Sequence, residues 1–362
     1  IGAVGAKAAG KPTNLLLILT DNHGPWTLGC YGNTEIRTPH IDRLATEGVR
    51  FTRAFASNAV CSPTRATLLT GLIPSQHGVH CYLRANEAQM GEGAYCTIRE
   101  FPTLPKTLAA AGYTCGLVGK WHLGDNIRPQ EGFTTWITKP HGHTTTFYGA
   151  AVIEDEKVRT EDGYLTDLWT TRAVKFLEQT AGKPFFLMLA YNGPYGLSGL
   201  LTKPARNRHA AYYADKELRC FPRPKEVHPW QRKHGNRRFV NNIDAMRRYA
   251  AEVSGVDDGV GEVMGALKRL GLDENTLVVF TADQGLGGGH NGIWGMGDHT
   301  RPLHAFDATM HVPLIVRHSG SVPGGKTSDR MVCNYDVMPT LLSYLGVKAK
   351  ASKSPGRDFS AM

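Results

Sequence analysis

Short apolar runs, each long enough for one buried strand, constrain the fold of this 362-residue chain most strongly. Residues 14–20 read NLLLILT, residues 185–191 read FFLMLAY and residues 276–281 read TLVVFT. Unbroken runs of this kind are typical of strands that are covered on both faces. Weaker patterns predict strands at 49–55, 113–118 and 312–316, and helices at 38–48, 104–111, 164–179, 243–270 and 335–345.

The alternation of strands and helices predicts an α/β fold in which one large, mainly parallel sheet is sandwiched between helices. We expect the long helical pattern to be interrupted around Gly255 and Gly259, because glycine weakens a helix interior. Residues 1–13 are expected to be a loose lead-in. No run approaches the ~20 apolar residues of a membrane helix, so no membrane span is expected. Seven cysteines are too few in a chain of this length for a disulfide scaffold, and their odd number leaves at least one without an internal partner.

The formal charge of +9 is concentrated in residues 203–238, called the basic segment below. The segment contains eleven Lys and Arg against three acidic residues, a net charge of +8. Four prolines and interleaved aromatic residues predict an irregular insertion rather than a long helix. It is either a solvated basic loop or a binding surface for a polyanion such as a sulfated or carboxylated glycan. No nucleic-acid-binding motif accompanies the charge, so nucleic acid is not an expected partner.

Two of the apolar runs end in the same pair of residue types. The first leads into Asp21 and Asn22, and the third leads into Asp283 and Gln284. Ligands bind beyond the carboxyl ends of strands in open α/β sheets, so neighbouring ends would bring four oxygen donors together. Such donors suit Ca²⁺, or Mg²⁺, better than Zn²⁺. The alternative is that Asp21 and Asp283 only cap turns or helices.

The segment around Cys61 predicts a helix N-terminus. Ser62 is a good N-cap and Pro63 a good first helical residue, which places Cys61 just before the helix. The helix dipole and the nearby Arg65 would then lower the pKa of the thiol. The physical pattern indicates either an activated cysteine or an anion site. The alternative is a buried cysteine beside a structural arginine.

The whole segment 61–71, C-S-P-T-R-A-T-L-L-T-G, resembles the C-x-P-x-R-x-x-x-L-T-G signature of the type I, formylglycine-dependent sulfatases. This family belongs to the alkaline-phosphatase-like superfamily. Other segments are similar to further motifs of the family: residues 21–32, 38–45, G-K-W-H-L-G at 119–124, T-A-D-Q-G at 281–285 followed by His290, and H-V-P-L-I at 311–315. The similarity spans roughly residues 12–345 and implies the family's α/β fold.

The resemblance also implies the chemistry of the site. Cys61 would be oxidised to formylglycine by a maturase, and the hydrate of that aldehyde would be the nucleophile. The implied ligands of a divalent cation, calcium by preference, are Asp21, Asn22, Asp283, Gln284 and position 61.

Four further residues are implied to act on the substrate: Arg65, Lys120, His122 and His290. The two cations would offset the charge of the sulfate. His122 is implied to pair with the second hydroxyl of the hydrate, so we expect His290 to protonate the leaving group.

The sequence departs from the family pattern at three positions of the expected site. Asn22 replaces an aspartate, Tyr195 stands where a sulfate-contacting histidine is expected, and Met296 stands where a lysine is expected. We expect Tyr195 to donate a hydrogen bond to the substrate. We expect Arg301 to supply the missing cation, because its planar fork suits a tetrahedral oxyanion.

These patterns predict a catalytic domain over residues 14–346, with residues 347–362 as a tail or the start of a C-terminal subdomain that is otherwise missing. The expected function is hydrolysis of a sulfate monoester, with a sulfated carbohydrate or polysaccharide as the substrate. One alternative is a phosphomonoester or phosphonate monoester hydrolase of the same superfamily. Another is a catalytically silent polyanion-binding homologue. The family implies a periplasmic or secreted protein, although no signal peptide is visible.

Overall fold

A ten-stranded sheet organises the computed structural model, which describes residues 11–85, 88–349 and 353–361. The strands in the described part of the chain are β1 Asn14–Asp21, β2 Val49–Phe55, β3 Thr114–Gly119, β4 Thr135–Thr138, β5 Ala150–Glu154, β6 Lys157–Glu161, β7 Phe185–Pro194, β8 Thr276–Ala282, β9 Gly287–Gly288, β10 Trp294–Gly295, β11 Leu314–Arg317 and β12 Lys326–Cys333. The two short strands β9 and β10 pair only with each other.

The helices lie between these strands in the chain. They are α1 Pro39–Thr46, α2 Cys61–Thr70, α3 Pro74–His77, α4 Leu104–Ala110, α5 Leu165–Thr180, α6 Ala210–Tyr213, α7 Ile243–Arg269, α8 Asp307–Met310 and α9 Val337–Tyr344. Single 3₁₀ turns occur at Pro25–Thr27, Gly29–Tyr31, Ser198–Thr202, Pro229–Gln231, Gly235–Phe239, Asp273–Asn275, His290–Gly292, Gly297–His299 and Asn334–Asp336.

The strand order in the large sheet is β12-β2-β11-β8-β1-β7-β3-β4-β5-β6. Its centre, from β8 through β1, β7 and β3 to β4, is parallel. β11 is antiparallel to both of its neighbours, and β5 and β6 extend the other side as an antiparallel hairpin. The prediction of a mainly parallel sheet between helices is therefore confirmed.

The central strands are buried on both faces, as their unbroken apolar runs predict. Leu16 and Ile18 of β1 belong to one core cluster, with α5 and α7, whereas Leu15, Leu17 and Leu19 belong to the opposite cluster, with α2, α4 and α9. β1 pairs without a register shift with β8, and it pairs with β7 up to a register shift between Leu19 and Asp21. The carboxyl ends of these three strands consequently lie side by side at one edge of the sheet.

Helix α7 corrects one expectation from the sequence, because it runs through 27 residues without an interruption. A Cβ atom at Gly255 would lie 2.6 Å from Tyr164 Oη, and a Cβ atom at Gly259 would lie 2.5 Å from Tyr191 Oη. These glycines therefore permit close packing of α7 against α5 and β7. Packing on the sheet compensates for their low helix propensity.

Strands β4, β5, β6 and β12 were not expected from the sequence. β5 and β6 are joined by Asp155 and Glu156, which have φ angles of 51° and 58°. A two-residue hairpin turn with two positive φ angles normally carries Asn or Gly, so the sequence signal for this hairpin is weak. β12 is a largely exposed edge strand without regular alternation of apolar residues.

The ends of the chain are described only in part. The expected lead-in over residues 1–13 lies outside the described residues except for 11–13, which have no regular structure. Residues 353–361 have no regular secondary structure and pack on the domain, where Phe359 is buried against Phe51. Residues 350–352 and 362 of the predicted tail lie outside the described residues.

Candidate active site

The site forms at the carboxyl edge of β8, β1, β7 and β3. Asp21 ends β1 and Asp283 directly follows β8, with Asp283 N donating to Thr20 O at 3.0 Å. Lys120 follows β3 and Tyr195 follows β7, where Tyr195 N donates to Asp21 O at 3.1 Å. The predicted juxtaposition of the first and third apolar runs at this edge is confirmed, because β1 and β8 are neighbours in the sheet.

Helix α2 brings Cys61 to this edge but begins earlier than predicted. Val60 is the N-cap and Cys61 is already the first helical residue, because Val60 O accepts from Thr64 N. Ser62 does not cap the helix, since its Oγ accepts from Leu83 N at 3.1 Å. The expectation of a lowered thiol pKa is also wrong: burial first, then the Asp21 carboxylate, raises the pKa of Cys61. Desolvation and the nearby carboxylates outweigh the opposing charges of Lys120 and Arg65 at this position.

Two carboxylates and two cations form a buried cluster around Cys61. Arg65 Nη2 lies 2.8 Å from Asp283 Oδ2 and 3.8 Å from Asp21 Oδ2, and Lys120 Nζ pairs with Asp21 Oδ2. Cys61 Sγ lies 3.7 Å from Asp21 Oδ1. The four charged side chains have no exposure, so each charge depends on the others for compensation.

The donor set around this cluster fits a hard divalent cation. Ligand atoms of Asp21, Cys61 and Asp283 all lie within 4.8 Å of one another. Burial, followed by the proximity of Asp21, raises the pKa of Asp283, which reflects two carboxylates held close together. Within the described residues, Asn22 Oδ1 and Gln284 Oε1 are buried without a hydrogen-bond partner. Four oxygen-bearing side chains, two of them with unsatisfied oxygens, match the preference of Ca²⁺ or Mg²⁺ for oxygen ligands.

Cys61 and the surrounding residues line a cavity of about 400 Å³ that opens to solvent. His122, Tyr195 and Met296 line it with Cys61 at depth, where each is buried. The mouth carries polar and charged residues, among them Tyr82, Arg84, His143, His234, Asp298 and Arg301. The cavity can therefore present an anionic group to the buried cluster while the rest of a ligand stays near solvent.

His122 is held firmly in the wall of this cavity. Its backbone has a φ angle of 62°, and its Nε2 lies 3.0 Å from Leu83 O. Gly142 packs against the imidazole ring, because a Cβ atom there would lie 1.9 Å from His122 Cγ. Burial and the positive charge of Lys120 hold the pKa of His122 well below its usual range.

Tyr195 contacts His143, a histidine to which the sequence patterns assign no role. Tyr195 Oη lies 2.7 Å from His143 Nδ1, and Lys120 Nζ lies 5.5 Å from the centroid of the Tyr195 ring. His143 belongs to the loop between β4 and β5, in the run K-P-H-G-H over residues 139–143. The density of histidine and lysine in this run is the only sequence signal that could have identified it.

Met296 and Arg301 occupy different depths of the cavity. Met296 is buried, with its Sδ 3.5 Å from Asn22 Nδ2. Arg301 is exposed at the mouth, where its Nη1 donates to Asp298 O and Thr300 O at 2.7 Å each. Arg301 therefore lines the predicted pocket but does not occupy the buried position of Met296.

His290 is not among the residues that line the cavity. Its ring packs against Trp26 with a centroid separation of 4.9 Å, and burial lowers its pKa to about 4. Of the predicted site residues, the structure brings together Asp21, Asn22, Cys61, Arg65, Lys120, His122, Tyr195, Asp283, Gln284 and Arg301. It does not bring His290 into their cavity.

The basic segment is irregular, as predicted, and it divides into two parts. Arg208 pairs with Asp167 and Asp258 on α5 and α7, away from the cavity. Residues 228–239 pack on the mouth: Trp230 O accepts from Arg301 N, and His234 lines the cavity. Four exposed basic residues flank His234, namely Arg232, Lys233, Arg237 and Arg238.

No described helix is long and apolar enough to cross a membrane. The seven cysteines all lie in the described part of the chain, and none forms a disulfide.

Comparisons with known proteins place the chain in a family. A family model described as Sulfatase matches residues 13–347. The N-acetylglucosamine-6-O-sulfatase of Bacteroides thetaiotaomicron is 28% identical, covering 93% of this chain and 68% of that protein. The N-acetylgalactosamine-6-sulfatase of Canis lupus familiaris is 30% identical, covering 95% of this chain and 64% of that protein. The chain thus spans about two thirds of the length of these curated relatives.

A solved structure, that of BT4656 in complex with its substrate D-glucosamine-2-N,6-O-disulfate, superposes with a TM-score of 0.77. It is 26% identical, and the alignment covers 97% of this chain and 80% of that one. The family model, the relatives and the shared architecture agree, and the chain belongs to the sulfatase family.

Proposed function

We propose that this protein hydrolyses a sulfate monoester on a sulfated carbohydrate or polysaccharide. The observation that carries the proposal is the cluster of Cys61, Asp21, Asp283, Arg65 and Lys120 at the base of an open cavity. The names of the relatives favour a sulfated amino sugar as the first substrate to test.

Position 61 is proposed to act after oxidation by a formylglycine-generating maturase. Formylglycine there would supply a hydrated aldehyde whose hydroxyl is an oxygen nucleophile. The unmodified thiol is poorly suited to this role, because its raised pKa leaves little thiolate at neutral pH. Asp21, with Oδ1 at 3.7 Å from Sγ, lies close enough to orient a hydroxyl at this position.

Asp21, Asn22, Asp283, Gln284 and position 61 are proposed to hold a divalent cation, Ca²⁺ by preference and Mg²⁺ as the alternative. When bound, the cation would supply positive charge to the sulfate oxygens. The two carboxylates and the two cations Arg65 and Lys120 already sum to zero charge. A divalent ion would therefore give the buried cluster a net charge of about +2, which favours an anionic ester.

Other side chains are proposed to position the substrate. Lys120 and Arg65 would stabilise the charge that develops as the S–O bond breaks. His122, which is fixed by Leu83 and Gly142, would orient the group at position 61. Tyr195 and Arg301 would contact the substrate from the wall and the mouth of the cavity.

The proposed hydrolysis is tested on protein purified from the native host. Mass spectrometry of the peptide that contains Cys61 should detect formylglycine, and aryl sulfate and sulfated amino sugars should be hydrolysed. Cys61→Ala should abolish both reactions. A peptide carrying only unmodified cysteine, or full activity of Cys61→Ala, would contradict the mechanism.

The same preparation distinguishes the two alternatives. Faster turnover of an aryl phosphate or phenylphosphonate than of an aryl sulfate would identify a phosphorus-ester hydrolase. Binding of sulfated glycans without any turnover, by protein with intact formylglycine, would identify a silent polyanion-binding homologue. The intact set of Cys61, Asp21, Asp283, Lys120 and His122 argues against this last outcome.

The proposed cation site has a test that does not depend on activity. After chelation, Ca²⁺ should raise the melting temperature, because an ion that binds only the folded state stabilises it by about 2.7 kcal/mol at a hundredfold excess over Kd. Asp283→Asn should abolish this shift. Asp307→Asn, on the short helix α8, is the control that should retain it.

We further propose that the protein acts in the periplasm or outside the cell, where sulfated polysaccharides are encountered. Fractionation of the native host should recover it there. Recovery only from the cytoplasm would contradict this location.

A further inference from the structure

We propose that His143 is the acid that protonates the leaving-group oxygen, an inference that rests on the proposed sulfate-ester hydrolysis. Its position on the loop between β4 and β5 lies outside every motif that identified the site from the sequence. The position of the imidazole in the cavity and the residues that hold it there indicate this role.

The imidazole of His143 is anchored to the reacting end of the cavity. Its Nδ1 is 2.7 Å from Tyr195 Oη, and Tyr195 N donates to Asp21 O. The Tyr195 ring lies next to Lys120 Nζ, which pairs with Asp21. His143 is thus two contacts from the cluster around Cys61 and also lines the mouth of the same cavity. A leaving alcohol would lie between these two places, because it points from the sulfate toward solvent.

The loop beneath His143 is held in place by a buried lysine. Lys139 Nζ donates to His143 O at 3.3 Å, and Lys139 is only 7% exposed. Burial first and then Lys120 lower the pKa of His143, whereas Asp21 raises it. A bound sulfate anion would offset the influence of the two lysines, so proton uptake by His143 is favoured when substrate is present.

The other histidines are less well placed. His290 does not line the cavity. His122 is buried at depth, where it is proposed above to orient the group at position 61, whereas His143 lies at the exposed mouth that a leaving alcohol would reach. His299 Nδ1 is 2.9 Å from Asn236 Nδ2, and its ring stacks on His234 at 4.6 Å. His234 Nδ1 accepts from Asn236 N at 3.2 Å. These contacts give His234 and His299 a role in holding the rim of the cavity.

Proton transfer from His143 accompanies cleavage of the bond between sulfur and the leaving oxygen. The bond between sulfur and the alcohol oxygen breaks, and its electron pair stays on that oxygen, which takes the proton of the His143 imidazolium. The oxygen nucleophile at position 61 forms the new bond to sulfur, and its proton is released to water. His143 regains a proton from water after the alcohol has left.

The role of His143 as an acid is tested by how the loss of kcat/KM in a variant depends on the pKa of the leaving group. In protein that carries formylglycine, His143→Gln should lower kcat/KM for a sugar sulfate on the order of 10²–10⁴-fold, the usual contribution of an acid catalyst. It should change kcat/KM little for 4-nitrophenyl sulfate, because nitrophenolate leaves without a proton. Across a series of aryl sulfates, the loss should increase with the pKa of the phenol. Tyr195→Phe, which keeps the ring but removes the anchoring hydroxyl, should show a weaker form of the same dependence.

His141→Gln, two residues away on the same loop and absent from the cavity lining, is the matched control and should show no dependence on the leaving group. An equal loss on sugar and nitrophenyl sulfates in His143→Gln would overturn the proposal, since only a structural role produces it. A dependence on the leaving group in His290→Gln but not in His143→Gln would also overturn it. Failure of the parent protein to hydrolyse any sulfate ester would instead contradict the proposed function itself.

Discussion

Arg65 donates from both Nε and Nη2 to the same oxygen of Asp283, at 2.9 and 2.8 Å, with neither side chain exposed. This pair joins α2, one turn beyond Cys61, to the carboxyl end of β8. A third bond, from Arg65 Nη1 to Lys120 O at 2.7 Å, extends the connection to β3. The residue that offsets charge in the site therefore also fixes the relative positions of three chain segments.

The buried pair of Arg65 and Asp283 predicts a large loss of stability when the Arg65 side chain is removed. Arg65→Ala should lower the free energy of unfolding by about 3–5 kcal/mol, because it leaves Asp283 and Asp21 buried with one fewer cation. The measurement is urea unfolding at neutral pH. Arg208→Ala, which breaks partly exposed pairs with Asp167 and Asp258, is the control and should cost less, about 0.2–1 kcal/mol per pair. Equal costs for the two variants would contradict this account.

The lowered pKa of Lys139 predicts that the stability of the fold depends on pH. Burial, and then Lys120, lower its pKa to about 7, below its unfolded value of about 10.4. The unfolded chain therefore binds more protons between these two values, and this lysine's contribution to stability rises with pH over that window. The free energy of unfolding of Lys139→Met should exceed that of the parent by most at about pH 6. This difference should shrink as the pH rises toward about 9.

Urea unfolding of both proteins across this range measures the Lys139 effect. Lys157→Met removes an exposed lysine on β6 and should show no such trend. A constant difference between Lys139→Met and the parent at all pH values would contradict the prediction.

The basic segment predicts a selective effect on polymeric substrates. Arg237→Gln together with Arg238→Gln should raise KM for a sulfated polysaccharide at low salt but barely change KM for a small aryl sulfate, since exposed charges act over about 8–10 Å. Lys203→Gln together with Arg206→Gln removes the same charge from the other part of the segment and should have less effect. Equal changes for both substrates would mean that the charge only solvates the surface.

Replacing either of two glycines of α7 by alanine is predicted to have opposite effects on stability. Gly259→Ala should destabilise the fold by about 1–3 kcal/mol, because its Cβ would lie 2.5 Å from Tyr191 Oη. In Gly265→Ala the nearest atom is the flexible Arg269 Nη1 at 3.5 Å, so the gain in helix propensity of up to ~1 kcal/mol should prevail. Thermal unfolding of the two variants provides the comparison, and stabilisation by Gly259→Ala would contradict the proposed packing.

The sequence by itself determined the centre of the sheet. The unbroken apolar runs of β1, β7 and β8 are typical of strands buried on both faces, and the polar residues after β1 and β8 indicated the functional edge. Local motifs also named Cys61, Arg65 and Lys120, because the type and spacing of these residues are set along the chain. Element type and ligand identity are local properties in such cases, so they can be predicted without the tertiary structure.

Only the tertiary structure decided how the environment modifies these residues. The pKa of Cys61 is raised rather than lowered because burial and Asp21 outweigh the charges of Lys120 and Arg65, and neither burial nor the approach of Asp21 can be derived from the order of the residues. Helix α7 continues through its glycines because Tyr164 and Tyr191 pack against it. His143 meets Tyr195 across a separation of 52 residues, whereas His290 packs on Trp26 outside the cavity. Desolvation, close packing and long-range contacts depend on the whole fold, and for that reason they could not be predicted from the motifs.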